Sequence, residues 1–86
     1  MDNKSLFLYK ISQNENNGYD TYDSMIVAAY SEEEAREIHP RMNYGGWNCY
    51  STVWAKSSDK VEVQIIGLAY KGIKPNEIVL ASFNAG

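Results

Sequence analysis

Cysteine and histidine are almost absent from this sequence. Among 86 residues there is one cysteine, Cys49, and one histidine, His39. No disulfide can form within one chain, and the four nitrogen or sulfur ligands of a structural zinc site are lacking. A serine nucleophile would depend on the single imidazole as its base. We therefore predict no catalytic residues, no metal and no cofactor. A metal site shared between subunits and a small hydrolase built on His39 stay open as minor alternatives.

Positive charge is also scarce. The net charge is −3, from 8 basic and 11 acidic residues, and no run of basic residues occurs. Nucleic-acid-binding proteins usually carry a clustered basic surface, so nucleic acid is not expected as a partner. No apolar run approaches the roughly 20 residues that span a bilayer, and no signal peptide is recognisable. With one cysteine, these features predict a cytoplasmic protein without a membrane partner.

The length favours a single domain, residues 1–86, with little spare stability. A chain of this size buries only about 60% of the surface that its unfolded form exposes. Eleven residues are aromatic, and seven of these are tyrosine. Because small domains often gain stability by association, we predict a homo-oligomer.

Four segments have strand patterns: residues 4–12, 22–30, 61–65 and 78–83. In the first, Leu6 and Leu8 would face one side of a sheet, with Phe7, Tyr9 and Ile11 on the other. Turn-forming residues at 13–18 and 71–76 predict reversals. Residues 41–59 have no clean period and predict a long aromatic loop, part of which, 52–56, could pair as a short strand.

One helix is predicted between the two pairs of strands. Ser31 and Glu34 form a capping box, in which each side chain accepts from the backbone N–H of the other residue. Carboxylates at 32–34 suit the positive end of the helix dipole, which explains them without a metal. Ala35, Ile38 and His39 follow at helical spacing, and Pro40 ends a helix of about two turns.

The order of elements predicts an α+β domain of ββαββ type. We expect two antiparallel hairpins forming a small sheet of about four strands, with one short helix on one face. A single helix cannot cover both faces. The uncovered face is therefore expected to be an oligomer interface or a ligand surface.

The aromatic residues suggest a binding site. Tyrosine and tryptophan offer a flat apolar face with a polar tip, and an arginine could hold an anionic group beside a stacked ring. The ligand-binding candidates are Tyr22, His39, Arg41, Trp47, Trp54 and Asn84. Each has a structural alternative: core or subunit interface for the aromatics, the helix end for His39, and a tucked terminus for Asn84. Of the two tryptophans, Trp54 is the better core candidate and Trp47 the better candidate to meet a ligand.

Several motifs resemble a group of small proteins encoded by phages and prophages. They are Tyr-Asp-Ser at 22–24 with Val-Ala-Ala at 27–29, then Ser-Glu-Glu-Glu-Ala-Arg at 31–36 with Ile-His-Pro at 38–40, and Val-Leu-Ala-Ser-Phe-Asn-Ala-Gly at 79–86. The likeness spans most of the chain outside 13–18 and 41–53. Small phage proteins of this kind include inhibitors of host anti-phage defence, some of which are oligomeric sponges that sequester nucleotide signals without cleaving them.

The resemblance implies a non-enzymatic protein that sequesters a small nucleotide-type signalling ligand in the host cytoplasm. The alternative is a protein–protein inhibitor or adaptor that docks a host or phage protein through an acidic and aromatic surface. A nucleotide site should place Arg41, Lys56 or Lys60 near stacked aromatics. A protein-docking face should be flat, with acidic residues around tyrosine and tryptophan.

Overall fold

The computed structural model describes residues 5–16, 18, 20–41, 46–48, 53–69 and 72–84. It contains four strands, β1 (Phe7–Ser12), β2 (Thr21–Ala29), β3 (Glu62–Leu68) and β4 (Ile78–Asn84), with one α-helix, α1 (Glu32–Arg36), and 3₁₀ turns at Gly46–Asn48 and Ser58–Lys60. The strands form one antiparallel sheet in the order β3-β1-β2-β4. The predicted α+β class, with four strands and one short helix, is confirmed. None of the described helices has the length and apolar content to cross a membrane.

The pairing of the last two strands differs from the prediction. Only β1 and β2 form a hairpin, whereas β3 pairs with β1 and β4 pairs with β2 at opposite edges of the sheet. We call the connection 69–77 between these two strands the crossover. Its described residues are held close to the central strands, because Ala69 N–H donates at 2.9 Å to the carbonyl of Leu6, just before β1, and Asn76 N–H donates at 2.7 Å to the carbonyl of Ala28 in β2. The prediction of a second hairpin is therefore wrong. β3 and β4 do not pair with each other, and each pairs with a central strand instead.

The core lies on one face of the sheet. Tyr9 and Ile11 of β1 pair with Val27 and Met25 of β2, and all four side chains are buried. Tyr9 and Ile11 therefore share one face of the sheet, as the alternation in the first strand predicted, and that face is the buried one. The helix and the loop before β3 cover these residues with a second set of buried side chains: Ala35, Ile38, Trp54, Ala55 and Val61.

The helix is shorter than predicted. Ser31 Oγ accepts from Glu34 N–H at 3.2 Å, as a capping box requires, but the Glu34 carboxylate accepts from Tyr30 N–H rather than from Ser31. The helix ends at Arg36, with Glu37 as its C-cap. Ile38 and the residue after it leave the helical path before Pro40, because a residue that precedes proline avoids the helical region. Residues 52–56 were predicted as an optional strand; in the described part, 53–56, the chain turns and forms no strand.

The edges of the sheet are much less covered than its centre. The large apolar side chains that are most exposed all belong to the two edge strands: Ile65, Ile66, Leu68, Val79 and Leu80. A helix of five residues is too short to reach across four strands. Both edge strands also contain a β-bulge, since Ile66 in β3 and Val79 in β4 have no partner in the adjacent strand.

Candidate functional site

The six ligand-binding candidates lie around the start of β2. Tyr22 is the second residue of that strand, and its N–H donates to the carbonyl of Val53 at 2.8 Å, one residue before Trp54. Asn84, the last residue of β4, pairs with Thr21. His39, Arg41 and Trp47 follow the helix and contact one another or Tyr22, as set out below. The fold therefore gathers residues that are up to 62 positions apart in the sequence.

Tyr22 and Arg41 form a half-buried pair within this cluster. The guanidinium carbon of Arg41 lies 5.6 Å from the centroid of the Tyr22 ring, within the range of a cation–π contact. Both side chains are half-buried. Across the ladder, Tyr22 pairs with Phe83 of β4. An aromatic ring and a permanently charged guanidinium thus lie together at one end of the sheet.

His39 is fully buried and organises the backbone that presents Arg41. Its Nδ1 accepts a hydrogen bond from Arg41 N–H at 2.9 Å, so the ring proton must be on Nε2 in this arrangement. The prediction that His39 sits in the last helical turn is wrong, because the helix ends three residues earlier. Since the imidazole has no exposed surface, it supports the site through its hydrogen bond to the Arg41 backbone.

Trp47 contacts the segment that follows the helix. Its ring meets the His39 ring edge to face, with centroids 4.9 Å apart, and its Nε1–H donates to the Glu37 carbonyl at 2.9 Å. The side chain is half-buried and packs against the edge of the core. Trp47 therefore fixes the chain that follows the helix, and one side of its ring stays accessible.

Trp54 lies inside the core. It has no exposed surface, and its carbonyl accepts from the amide of Asn16. Its indole N–H is buried, and no described residue accepts a hydrogen bond from it. A ligand could not stack on Trp54 unless the core opened, so the location agrees with the core alternative favoured by its sequence position.

A network that the sequence did not reveal holds the start of β2 in place. Gln13, which is buried, donates through Nε2 to the carbonyls of Asn16 and Tyr22 and accepts through Oε1 from the N–H groups of Glu15 and Asn16. The Glu15 carboxylate in turn accepts from Lys56 N–H at 2.9 Å. The polar run at 13–16 indicated a turn, but nothing in it showed that Gln13 would be buried and fully bonded.

The remaining candidates are less defined. Asn84 is placed by its backbone at the end of β4. Of the three cations proposed for a nucleotide site, Arg41 is the one that contacts a described aromatic ring. No group of three or more histidine, cysteine, aspartate or glutamate side chains in the described ranges could hold a metal ion. The cluster offers stacking, hydrogen bonding and one positive charge.

Comparison with protein-family models, with curated proteins and with solved structures finds no match to this chain.

Proposed function

We propose that this protein is a non-enzymatic binding protein of phage type. It acts in the host cytoplasm as an oligomer and sequesters a small nucleotide-type signalling ligand, which counters host defence. The phage context rests on the sequence resemblance. The class of ligand rests on one structural observation, the half-buried pair of Tyr22 and Arg41 at the end of the sheet.

This pair matches the two chemical parts of a nucleotide. A base can stack on an aromatic side chain, which contributes about 1–3 kcal/mol per base. A phosphate can accept charge-assisted hydrogen bonds from a guanidinium, which are stronger than bonds between neutral groups. The two carboxylates nearest in sequence, Asp20 and Asp23, are exposed. Their charge is therefore screened by solvent and does not prevent an anion from approaching.

Preorganisation also favours binding. The Arg41 backbone is fixed by His39, and the Tyr22 backbone is fixed by Val53 and by the amide of Gln13. A site whose backbone is already ordered loses less conformational entropy when a ligand binds. Capture without cleavage is the function that this geometry supports best, because the pair offers a ring for stacking and a positive charge for an anion.

A second function is favoured by a different observation. Leu80 of β4 is 63% exposed and Leu68 of β3 is 65% exposed, and such apolar surface is typical of protein interfaces. On this basis the alternative is a protein–protein inhibitor that docks a host or phage protein. It predicts binding that does not depend on Arg41.

A thermal-shift experiment with cyclic mono- and dinucleotides tests the proposal. A nucleotide present at 100 times its dissociation constant should stabilise the protein by about 2.7 kcal/mol. We expect Arg41→Gln to weaken binding roughly tenfold or more, because a hydrogen bond to a charged group contributes about 1.5–3 kcal/mol. The bound nucleotide should be recovered chemically intact.

Lys74→Gln is the matched control. It removes the same charge from the exposed crossover, at the opposite end of the sheet, and should leave the affinity unchanged. The proposal fails if no nucleotide raises the melting temperature, or if both variants lose affinity equally. Recovery of a cleaved nucleotide would show that the protein is an enzyme.

A further inference from the structure

The outer edge of β4 has few of the features that usually protect an edge strand. The seven residues Ile78–Asn84 include no charged residue and no proline. In the part of the chain that the structure describes, no strand pairs with the side of β4 that faces away from β2. Natural proteins usually guard such an edge with lysine, proline, a bulge or a covering segment. The bulge in β4 lies at Val79, near the start of the strand. From Leu80 to Asn84 the ladder has one further irregularity, where Asp23 of β2 has no partner in β4.

The opposite edge is better guarded. β3 begins with a charged residue, Glu62, and its bulge at Ile66 interrupts the strand near its middle. A bulge twists an edge away from a flat partner, and a charged residue on an edge strand disfavours pairing with another strand. The two edges of the sheet are therefore unequal as docking surfaces, although both expose leucine.

We propose that β4 is the interface between two copies of this chain. The β4 strands pair antiparallel about a two-fold axis near Ala81 and join two four-stranded sheets into one of eight strands. Such a pairing is isologous: the residue on the axis faces its own copy, and the residues on either side of it meet one another across the interface. β4 contains no charged residue, so the pairing brings no like charges together, and the small side chains of Ala81 and Ser82 allow the backbones to approach.

A second copy satisfies this edge more completely than an extended peptide from another protein. Two-fold pairing covers the exposed β4 backbone of both copies at once and leaves β3, the guarded strand, at each outer edge. Assembly then stops at a closed dimer rather than continuing as a filament. Leu80, which is 63% exposed, lies beside Ile26 on the face opposite the core; with the axis near Ala81 it faces Ser82 of the other copy and lies diagonal to that copy's Leu80.

This assignment locates the oligomer interface that the proposed function requires, and it can be tested without any nucleotide. The probe is the second copy itself. Sedimentation of the 9.7 kDa chain should give twice the monomer mass at micromolar concentration. Leu80→Lys should weaken the dimer at least tenfold and give a monomer, because it places two lysines against one edge. Hydrogen exchange of the β4 amides should be slow in the wild type and faster in this variant.

Leu68→Lys is a closely matched control, since Leu68 is 65% exposed and belongs to the other edge strand. It should remain dimeric with unchanged β4 exchange. Circular dichroism should confirm that both variants are folded. A wild-type monomer at all concentrations, or dissociation caused by Leu68→Lys and not by Leu80→Lys, would overturn the assignment. If the dimer is lost while the nucleotide still binds with unchanged affinity, the interface is right and sequestration does not require it.

Discussion

The central and edge strands of this sheet have similar apolar content and very different environments. Met25 and Val27 of β2 are buried, whereas Leu68 of β3 and Leu80 of β4 are more than half exposed. The difference arises from coverage, because α1 and the loop with Trp54 pack over the core face and leave the edges bare. The centre of the sheet therefore holds the buried side chains, and its edges hold the exposed apolar ones.

Trp54→Ala should give the largest loss of stability. It tests whether the covered centre of the sheet is the stable region. Removing a fully buried indole should lower the free energy of unfolding by about 3–5 kcal/mol, through lost burial and the cavity that remains. Leu68→Ala should change it by no more than about 0.5 kcal/mol, because that side chain is largely in water. Urea unfolding measures both. Equal losses would show that the edge is covered in solution.

The two tryptophans sharpen the same test. Trp47 is half-buried, so Trp47→Ala should cost less stability than Trp54→Ala and should weaken ligand binding, since its ring orders the backbone before Arg41. Trp54→Phe should cost less than Trp54→Ala, because it keeps much of the volume and removes an indole N–H that no described residue accepts. A large loss of stability from Trp47→Ala would instead place both indoles in the core.

The helix cap should have an intermediate effect. Ser31→Ala removes the acceptor for Glu34 N–H and should destabilise the protein by about 1 kcal/mol, with ligand binding and dimer mass unchanged. Ser57 precedes a 3₁₀ turn in the same extended conformation but makes no side-chain cap, so Ser57→Ala should have a smaller effect. Thermal melts of the two variants decide this. Loss of binding in a stable Ser31→Ala protein would make the acidic turn part of the site.

The smallest effect should appear at high pH. Burial, followed by the carboxylates of Glu32, Glu33 and Glu34, raises the pKa of Tyr9 above its ordinary value. The folded protein then holds the phenol proton more tightly than the unfolded chain, so this contribution is complete below about pH 10 and is lost as pH rises through the folded pKa. Tyr9→Phe should make unfolding less sensitive to alkali. Urea midpoints at neutral and alkaline pH measure the change, and an unchanged alkaline slope would contradict it.

Local patterns in the sequence predicted the elements but not their partners. Alternation identified all four strands to within a few residues, and Ser31 marked the start of the helix. The pairing of β3 with β1 depends on contacts fifty or more positions apart, which no local pattern encodes. The helix was predicted too long because Ile38 is buried after the helix ends, and its apolar spacing resembled one more turn.

The candidate site was predictable in part. Aromatic and charged residue types identified Tyr22 and Arg41, and the structure brings them into contact. The supporting roles of Gln13 and His39 depend on burial and on hydrogen bonds to backbone groups, which residue type alone does not reveal. The sequence therefore suggested which groups could meet a ligand, and the fold shows what holds them.

The crossover also determines how the chain must fold. The hairpin of β1 and β2 closes a short loop, but each edge strand pairs with a central strand about 50 to 60 residues away. Closing such loops costs chain entropy before any contact is gained, and non-local pairing slows folding. We expect the hairpin to form early and to keep both of its edges unpaired until β3 and β4 attach. Until the edge strands attach, the unpaired edges of the hairpin expose backbone donors and acceptors with which other chains can pair.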